Sequence, residues 1–153
     1  MNPPVLVDTS VISWYLRRDA RTQHPILVDW IDRAFARDGL HISAVTIYEL
    51  RRGIAELMNR GQGTRKAARI EMLLRQATVH GLDANDNLGW KLAADLWAKA
   101  SACKPALVFS DGDLLITATA IAHSRALVTV DEKLRTLLKR LNLHAALHEI
   151  PSL

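Results

Sequence analysis

Val5-Leu6-Val7-Asp8-Thr9-Ser10 (VLVDTS) opens with three β-favouring apolar residues and ends on a carboxylate followed by two hydroxyls. A short run with no polar alternation reads as a strand buried on both faces, the situation of a parallel sheet. Residues 10–18 then read as a helix whose first turn carries hydroxyls able to cap free backbone N–H groups. Asp8 stands at the junction, either as a helix cap or as a functional acid. Which it is depends on whether other acids reach the same place.

Working outward, the spacing of Ile26, Leu27, Trp30, Ile31, Ala34 and Phe35 predicts a helix, with Pro25 in its first turn and Gly39 after its end. Leu40-His41-Ile42 reads as a second short strand, running into a helix through Val45, Ile47, Leu50, Ile54 and Met58 that stops near Gly61-Gln62-Gly63. A helix over 64–77, a strand at Thr78-Val79-His80 and an amphipathic helix over 86–103 follow. Asp113 to Ala120 (DLLITATA) reads as a buried helix, Ala126 to Val130 as a strand, the leucines from Leu134 to Leu141 as a helix, and Leu147 to Ile150 as a closing strand. Strands alternating with helices imply a three-layer α/β/α sandwich around a central parallel sheet with right-handed crossovers. With no linker, low-complexity stretch or repeat, residues 1–153 read as a single domain.

A chain of 153 residues buries roughly two thirds of the surface its unfolded form exposes, so it needs no staple. The apolar share of 49% and charged share of 24% are those of an ordinary globular protein, and no run is long enough to span a bilayer. Cys103 is the only cysteine and no signal-peptide pattern opens the chain, which points to the cytoplasm and away from membranes. A net charge of +4 and a pI near 9.6 favour polyanionic partners such as nucleic acid. The six histidines are dispersed along the chain and form neither an HExxH nor a Cys-His pair, which argues against zinc chemistry.

In an open parallel sheet, ligands bind outside the carboxyl ends of the strands. Asp8 and Asp131 both end strands there, Asp113 opens a buried helix and Glu49 rides on the helix that leaves the second strand. Asp8, Asp113 and Asp131 also suit helix caps, and capping does not exclude a second role. Carboxylates gathered in a crevice repel, so either some take up protons or a cation sits between them. Oxygen ligands without histidine or cysteine point to Mg²⁺ or Mn²⁺, ions that keep water and bind phosphate oxygens.

Four motifs in order carry a resemblance: Asp8-Thr9-Ser10 after VLV, Ser43 and Thr46 leading to Glu49 as S-x-x-T-x-x-E, DLLITATA from Asp113, and LVTVD ending at Asp131. Together they resemble the PIN-domain family, and length and order are similar to the VapC-type toxin ribonucleases of type II toxin–antitoxin pairs. The resemblance implies a Mg²⁺- or Mn²⁺-dependent endoribonuclease, a homodimer, and a VapB-like antitoxin whose tail occupies the active-site groove. It makes Asp8, Glu49, Asp113 and Asp131 the catalytic and metal-binding acids, with Thr9 and Ser10 steadying Asp8. Asp111 competes with Asp113 for that place, and Glu132 less strongly with Asp131. Arg17, Arg18, Arg51 and Arg52 are candidates to hold the RNA backbone. Single-stranded or looped RNA is the expected substrate, because an A-form duplex hides its base edges.

Two other classes are compatible with an acid after a parallel strand. A phosphotransfer module, receiver-like or phosphatase, needs a second acid beside the first; here Ser10 takes the phosphatase position and no acid pair follows the first strand. A PIN-like module that binds RNA without cutting it needs no acids at all, and this chain has four.

Overall fold

The computed structural model describes residues 4–143 and 146–150. Among them four strands and eight helices follow in the order β1 (Val5–Val7), α1 (Thr9–Tyr15), α2 (Ala20–Gln23), α3 (Pro25–Asp38), β2 (Leu40–Ser43), α4 (Ala44–Asn59), α5 (Thr64–Gln76), β3 (Ala77–His80), α6 (Ala84–Ala102), α7 (Asp111–Ala122), β4 (Ala126–Val128) and α8 (Glu132–Arg140). Every strand pairing is parallel. Val5, Leu6 and Val7 face Ala126, Leu127 and Val128, and β2 runs beside β3 from Leu40 opposite Ala77 to Ser43 opposite His80. β1 packs next to β2, so the strands lie in the order β3, β2, β1, β4.

The pleat separates two cores. Val5, Val7, Leu40, Ile42 and Val128 pack with buried residues of α1, α3, α4 and α5, among them Ile12, Leu27, Ile31, Leu50 and Ile70. Leu6 and Leu127 point the other way, onto Ile116 and Ala120 of α7 and Leu134 and Leu138 of α8. Burial of both faces explains why VLV is apolar throughout. Filling the Leu6 position contributes about 1.5–3 kcal/mol. Since β1 and β2 lead to helices on one face while β4 leads to α8 on the other, the connections diverge between β1 and β4. In such a sheet, ligands bind at that point, outside the carboxyl ends of the strands.

Several predicted boundaries shift, each for a local reason. α1 ends at Tyr15 instead of reaching Arg18, because the Arg17 N–H turns back to the Trp14 carbonyl (3.0 Å) in a tight i→i+3 bond. β4 stops at Val128: beyond it the Val130 N–H meets the Ser10 hydroxyl (3.4 Å) and the Asp131 N–H the Thr129 hydroxyl (3.1 Å) in place of a ladder. The expected strand over Leu147 to Ile150 reduces to one parallel bridge from Leu147 to Leu127, with the His148 N–H on the Leu127 carbonyl (2.8 Å). α7 starts two residues before Asp113, capped by the Ser110 hydroxyl on the Asp113 N–H (3.2 Å). Asp113 therefore lies inside the first turn and is not the cap.

Candidate active site

Asp8 follows β1, fixed by its N–H on the Val128 carbonyl (2.9 Å). It occupies the N-cap position of α1, yet its side chain makes no capping bond. The carboxylate is turned inward and only 3% exposed. Its Oδ2 accepts the hydroxyls of Ser10 (2.6 Å) and Thr129 (2.8 Å). Each of those hydroxyls in turn accepts a backbone N–H, from Val130 and Asp131, so their single protons are committed to Asp8. Ser10 and Thr129 thus both donate to the same oxygen. Burial pushes the Asp8 pKa above the ordinary 3.8, and the hydroxyls of Ser10 and Thr129 with the N–H groups of Thr9 and Ser10 only partly offset this.

The residue after Asp8 reaches a second acid. The neighbouring Thr9 hydroxyl donates to Glu49 Oε1 (2.8 Å) and lies 3.1 Å from the Thr46 hydroxyl. Glu49 projects from α4, which starts at a Ser43 cap on the Val45 N–H (3.2 Å). On its far side Glu49 presses against Gly112, where an added Cβ would stand 2.8 Å from Glu49 Oε2. A glycine here leaves the Glu49 carboxylate its room against the first turn of α7; any larger residue would push that side chain aside.

Asp113 is half-buried, and its carboxyl is held above 3.8 first by burial and then by the charges of Asp8, Asp131 and Glu49, against the Ser110 hydroxyl. The three other acids are thus near enough to act on it. Asp131 caps α8 through Oδ1, which accepts the N–H groups of Lys133 (2.9 Å) and Leu134 (3.2 Å), leaving Oδ2 out of the cap. Asp111 is exposed at the outer side of the same turn as Asp113, and Glu132 faces solvent, 3.9 Å from Arg135. Of the competing pairs, Asp113 and Asp131 are the ones gathered with Asp8 and Glu49.

The donor set is all oxygen, which suits a hard divalent cation. Asp8 spends neither hydroxyl bond on Oδ1, Asp131 does not cap with Oδ2, and the Asp113 charge is disfavoured by its three neighbours. Among the described residues no three acids, histidines or cysteines close into a ready-made cage. What fits is an ion that keeps part of its water shell and is held by two or three of these oxygens.

The four candidate arginines are elsewhere. Arg17 and Arg18 lie exposed beyond the end of α1, Arg51 is tied to Glu71 of α5 (2.7 Å), and the Arg52 guanidinium stacks over Tyr48, 5.3 Å from the ring centre. Two site residues escaped the sequence reading: Thr129, one of many threonines until it meets Asp8, and Gly112, hidden between Asp111 and Asp113. Three of the histidines dispersed in sequence meet in the fold, although among the described residues they make no metal-holding group. His41 Nδ1 lies 3.0 Å from His80 Nε2, and His80 packs on His123 with ring centres 4.7 Å apart. Parallel pairing of β2 with β3 brings together residues dispersed in sequence. Burial, then the charges of Arg125, His123 and His41, lower the His80 pKa to about 4. His144 lies outside the described residues.

Comparison with known proteins gives this parallel α/β fold a family. The PIN domain family model matches residues 5–139. The chain belongs to the PIN domain family. It is 32% identical over 127 residues to the plasmid stability protein StbB of Pseudomonas syringae pv. tomato, covering 83% of this chain and 87% of that protein. Among solved structures, FitAcB from Neisseria gonorrhoeae is similar with a TM-score of 0.67 and 26% identity over 88% of this chain and 93% of that one. VapBC2 from Rickettsia felis, bound to a DNA fragment from its promoter, shares the fold at a TM-score of 0.68 and 15% identity, covering 86% and 91% of the two chains.

Proposed function

We propose that the protein is a Mg²⁺- or Mn²⁺-dependent endoribonuclease, the toxin of a toxin–antitoxin pair, with Asp8, Glu49, Asp113 and Asp131 as its catalytic and metal-binding acids. The observation that carries this reading is the gathering of acids from four separate segments: Thr9 beside the buried Asp8 bonds Glu49, Glu49 lies against Gly112 next to Asp113, and Thr129 bonds both Asp8 and the Asp131 N–H. Acids so placed favour a cation between them. When bound, a divalent ion supplies an activated water and charge stabilisation for in-line displacement at a phosphodiester. The chain's own part is positioning. Ser10 and Thr129 aim Asp8, Thr9 fixes Glu49, and Gly112 sets the gap between Glu49 and Asp113. A phosphotransfer role fits less well, because Asp8 is almost wholly buried with one oxygen already taken by two hydroxyls.

The partners follow from the same reading. An antitoxin segment in the form of an amphipathic helix suits the groove lined by Tyr15, Phe35, Leu40, Met72 and Leu73. A homodimer suits the exposed Trp90 and Trp97, which lie two turns apart on α6. Among the described residues no helix is long and apolar enough to cross a membrane; a single-domain protein acting in the cytoplasm accords with the lone cysteine.

The test is cleavage of a mixed RNA pool by the purified, antitoxin-free protein. Activity with Mg²⁺ or Mn²⁺, its loss with a chelator, and its loss in a folded Asp8→Asn variant are expected. RNA binding without any cleavage would instead make the protein a non-catalytic binding module.

A further inference from the structure

Beyond the acids, a basic trough lies around the end of α1 and the start of α5. Two hollows adjoin there at Arg18 and Arg69: one of about 650 Å³ between the Gly61-Gln62-Gly63 loop, Arg65 and Lys66, and one of about 380 Å³ beside Arg17 and Arg21. Arg69 is anchored, its guanidinium donating to the Leu16 carbonyl (2.9 Å), and Arg21 is paired with Asp32 (3.1 Å). Arg17, Arg18, Arg65 and Lys66 are exposed and, among the described residues, none has an acidic partner. Arg33, Arg37, Arg51 and Arg60 are each paired with an acid, whereas this wall gathers four unpaired cations around two adjoining hollows. Such a wall repels itself unless a polyanion lies on it.

We infer that this trough is a second grip for the substrate strand: it binds the phosphate backbone of single-stranded RNA on one side of the cleavage site. The inference rests on the ribonuclease reading above. α1 links the two places directly, since Thr9 at its start bonds Glu49 and Arg17 and Arg18 follow its end. Its seven residues span about 10 Å, so a strand with its scissile phosphate at the acids passes over the trough within a few nucleotides. Glycines at 61 and 63 leave the loop low on that side, and the Gly61 position has nothing within 4 Å of an added Cβ. An acidic peptide is the weaker occupant. A peptide takes most of its affinity from apolar anchors, and those are concentrated in the neighbouring groove of Phe35, Met72 and Leu73.

The experiment measures binding of a labelled short uridine homopolymer to the Asp8→Asn protein with Mg²⁺ present, at several salt concentrations. A backbone grip makes log K fall with log salt by about 0.7 per phosphate neutralised on a single strand. Arg65→Gln with Lys66→Gln is expected to flatten that slope by about 1.4, and Arg18→Gln by about a further 0.7. Lys99→Gln with Lys104→Gln, at the far end of α6, leaves the slope unchanged. In the Asp8-intact protein the trough variants raise KM for RNA and leave kcat near its starting value. An unchanged slope in the trough variants, an equal loss in the Lys99 and Lys104 control, or tighter binding of a polyglutamate peptide than of the homopolymer overturns the inference. Those outcomes are separable from failure of the nuclease reading, which shows as absence of metal-dependent cleavage in the unsubstituted protein.

Discussion

Thr129→Val is the sharpest perturbation the site offers, because valine keeps the shape of threonine and removes only the hydroxyl. Thr129 is fully buried, donates to Asp8 Oδ2 at 2.8 Å and accepts the Asp131 N–H at 3.1 Å. No cavity opens, so the effect isolates the hydroxyl's hydrogen bonds, chiefly these two, beside a longer contact with the Ser10 hydroxyl (3.2 Å). One bond to a charged acceptor is worth about 1.5–3 kcal/mol. The Asp131 N–H sits in a half-buried loop where water can replace part of its lost partner, adding about 0.5–1 kcal/mol. The expected loss is about 2–4 kcal/mol at neutral pH without metal, a fall in Tm of about 4–16 °C for a chain this size. Denaturant melts measure it. The loss should shrink in acid, as Asp8 protonates and the bond ceases to be charge-assisted, and in an Asp8→Asn background, where the two substitutions couple. A loss below about 0.5 kcal/mol, or one independent of pH and of the residue at position 8, would refute the claim that Thr129 acts through the Asp8 charge.

Three further outcomes follow from the same geometry. The Asp113 carboxyl is raised in the folded state, so its contribution to stability is full below the unfolded value near 3.8 and is lost as pH rises through the folded pKa. Asp113→Asn should therefore be the more stable protein at neutral pH, by thermal melts, with the gap closing in acid and with Mg²⁺ stabilising only the unsubstituted chain. Gly112→Ala should raise helix propensity by up to about 1 kcal/mol while pushing Glu49 aside, so melts hold or improve as RNA cleavage falls at least about tenfold, worth 1.4 kcal/mol. Asp111→Asn should cleave within about twofold of the unsubstituted protein, about 0.4 kcal/mol, whereas Asp113→Asn should not cleave detectably. Equal losses in the two variants would show that the site does not distinguish them.

The particular residues show what kind of information each level carries. Local period and turn chemistry gave α3 its bounds, from Pro25 in the first turn to Gly39 at φ 75° after the end. They also placed each of the four acids next to a strand end or in a helix leaving one. Parallel direction followed from alternation alone, and with it the edge of the sheet on which Asp8 and Asp131 lie; the strand order and the switch point between β1 and β4 came from the structure. Apolar pattern could not say where β4 stops, because Thr129 and Val130 leave the ladder to serve Ser10 and Asp8. Nor could it promise a full strand at Leu147, where one bridge to a three-residue β4 suffices.

By itself, then, VLVDTS with its three companion motifs determined a buried parallel strand and an acid at its carboxyl end, because side-chain period and capping act over a few residues. Tertiary structure decided how that acid is held and which others reach it. Thr129 lies 121 positions from Asp8 yet donates to its carboxylate. Gly112 matters only because α4 passes beside it, and the DLLITATA motif that already favoured Asp113 over Asp111 acquires a geometric reason once the first turn of α7 sets Asp113 near the other three acids. Hydrogen bonds and Coulomb forces act through space and take no account of separation along the chain, so they become legible only once the sheet has brought its strand ends together.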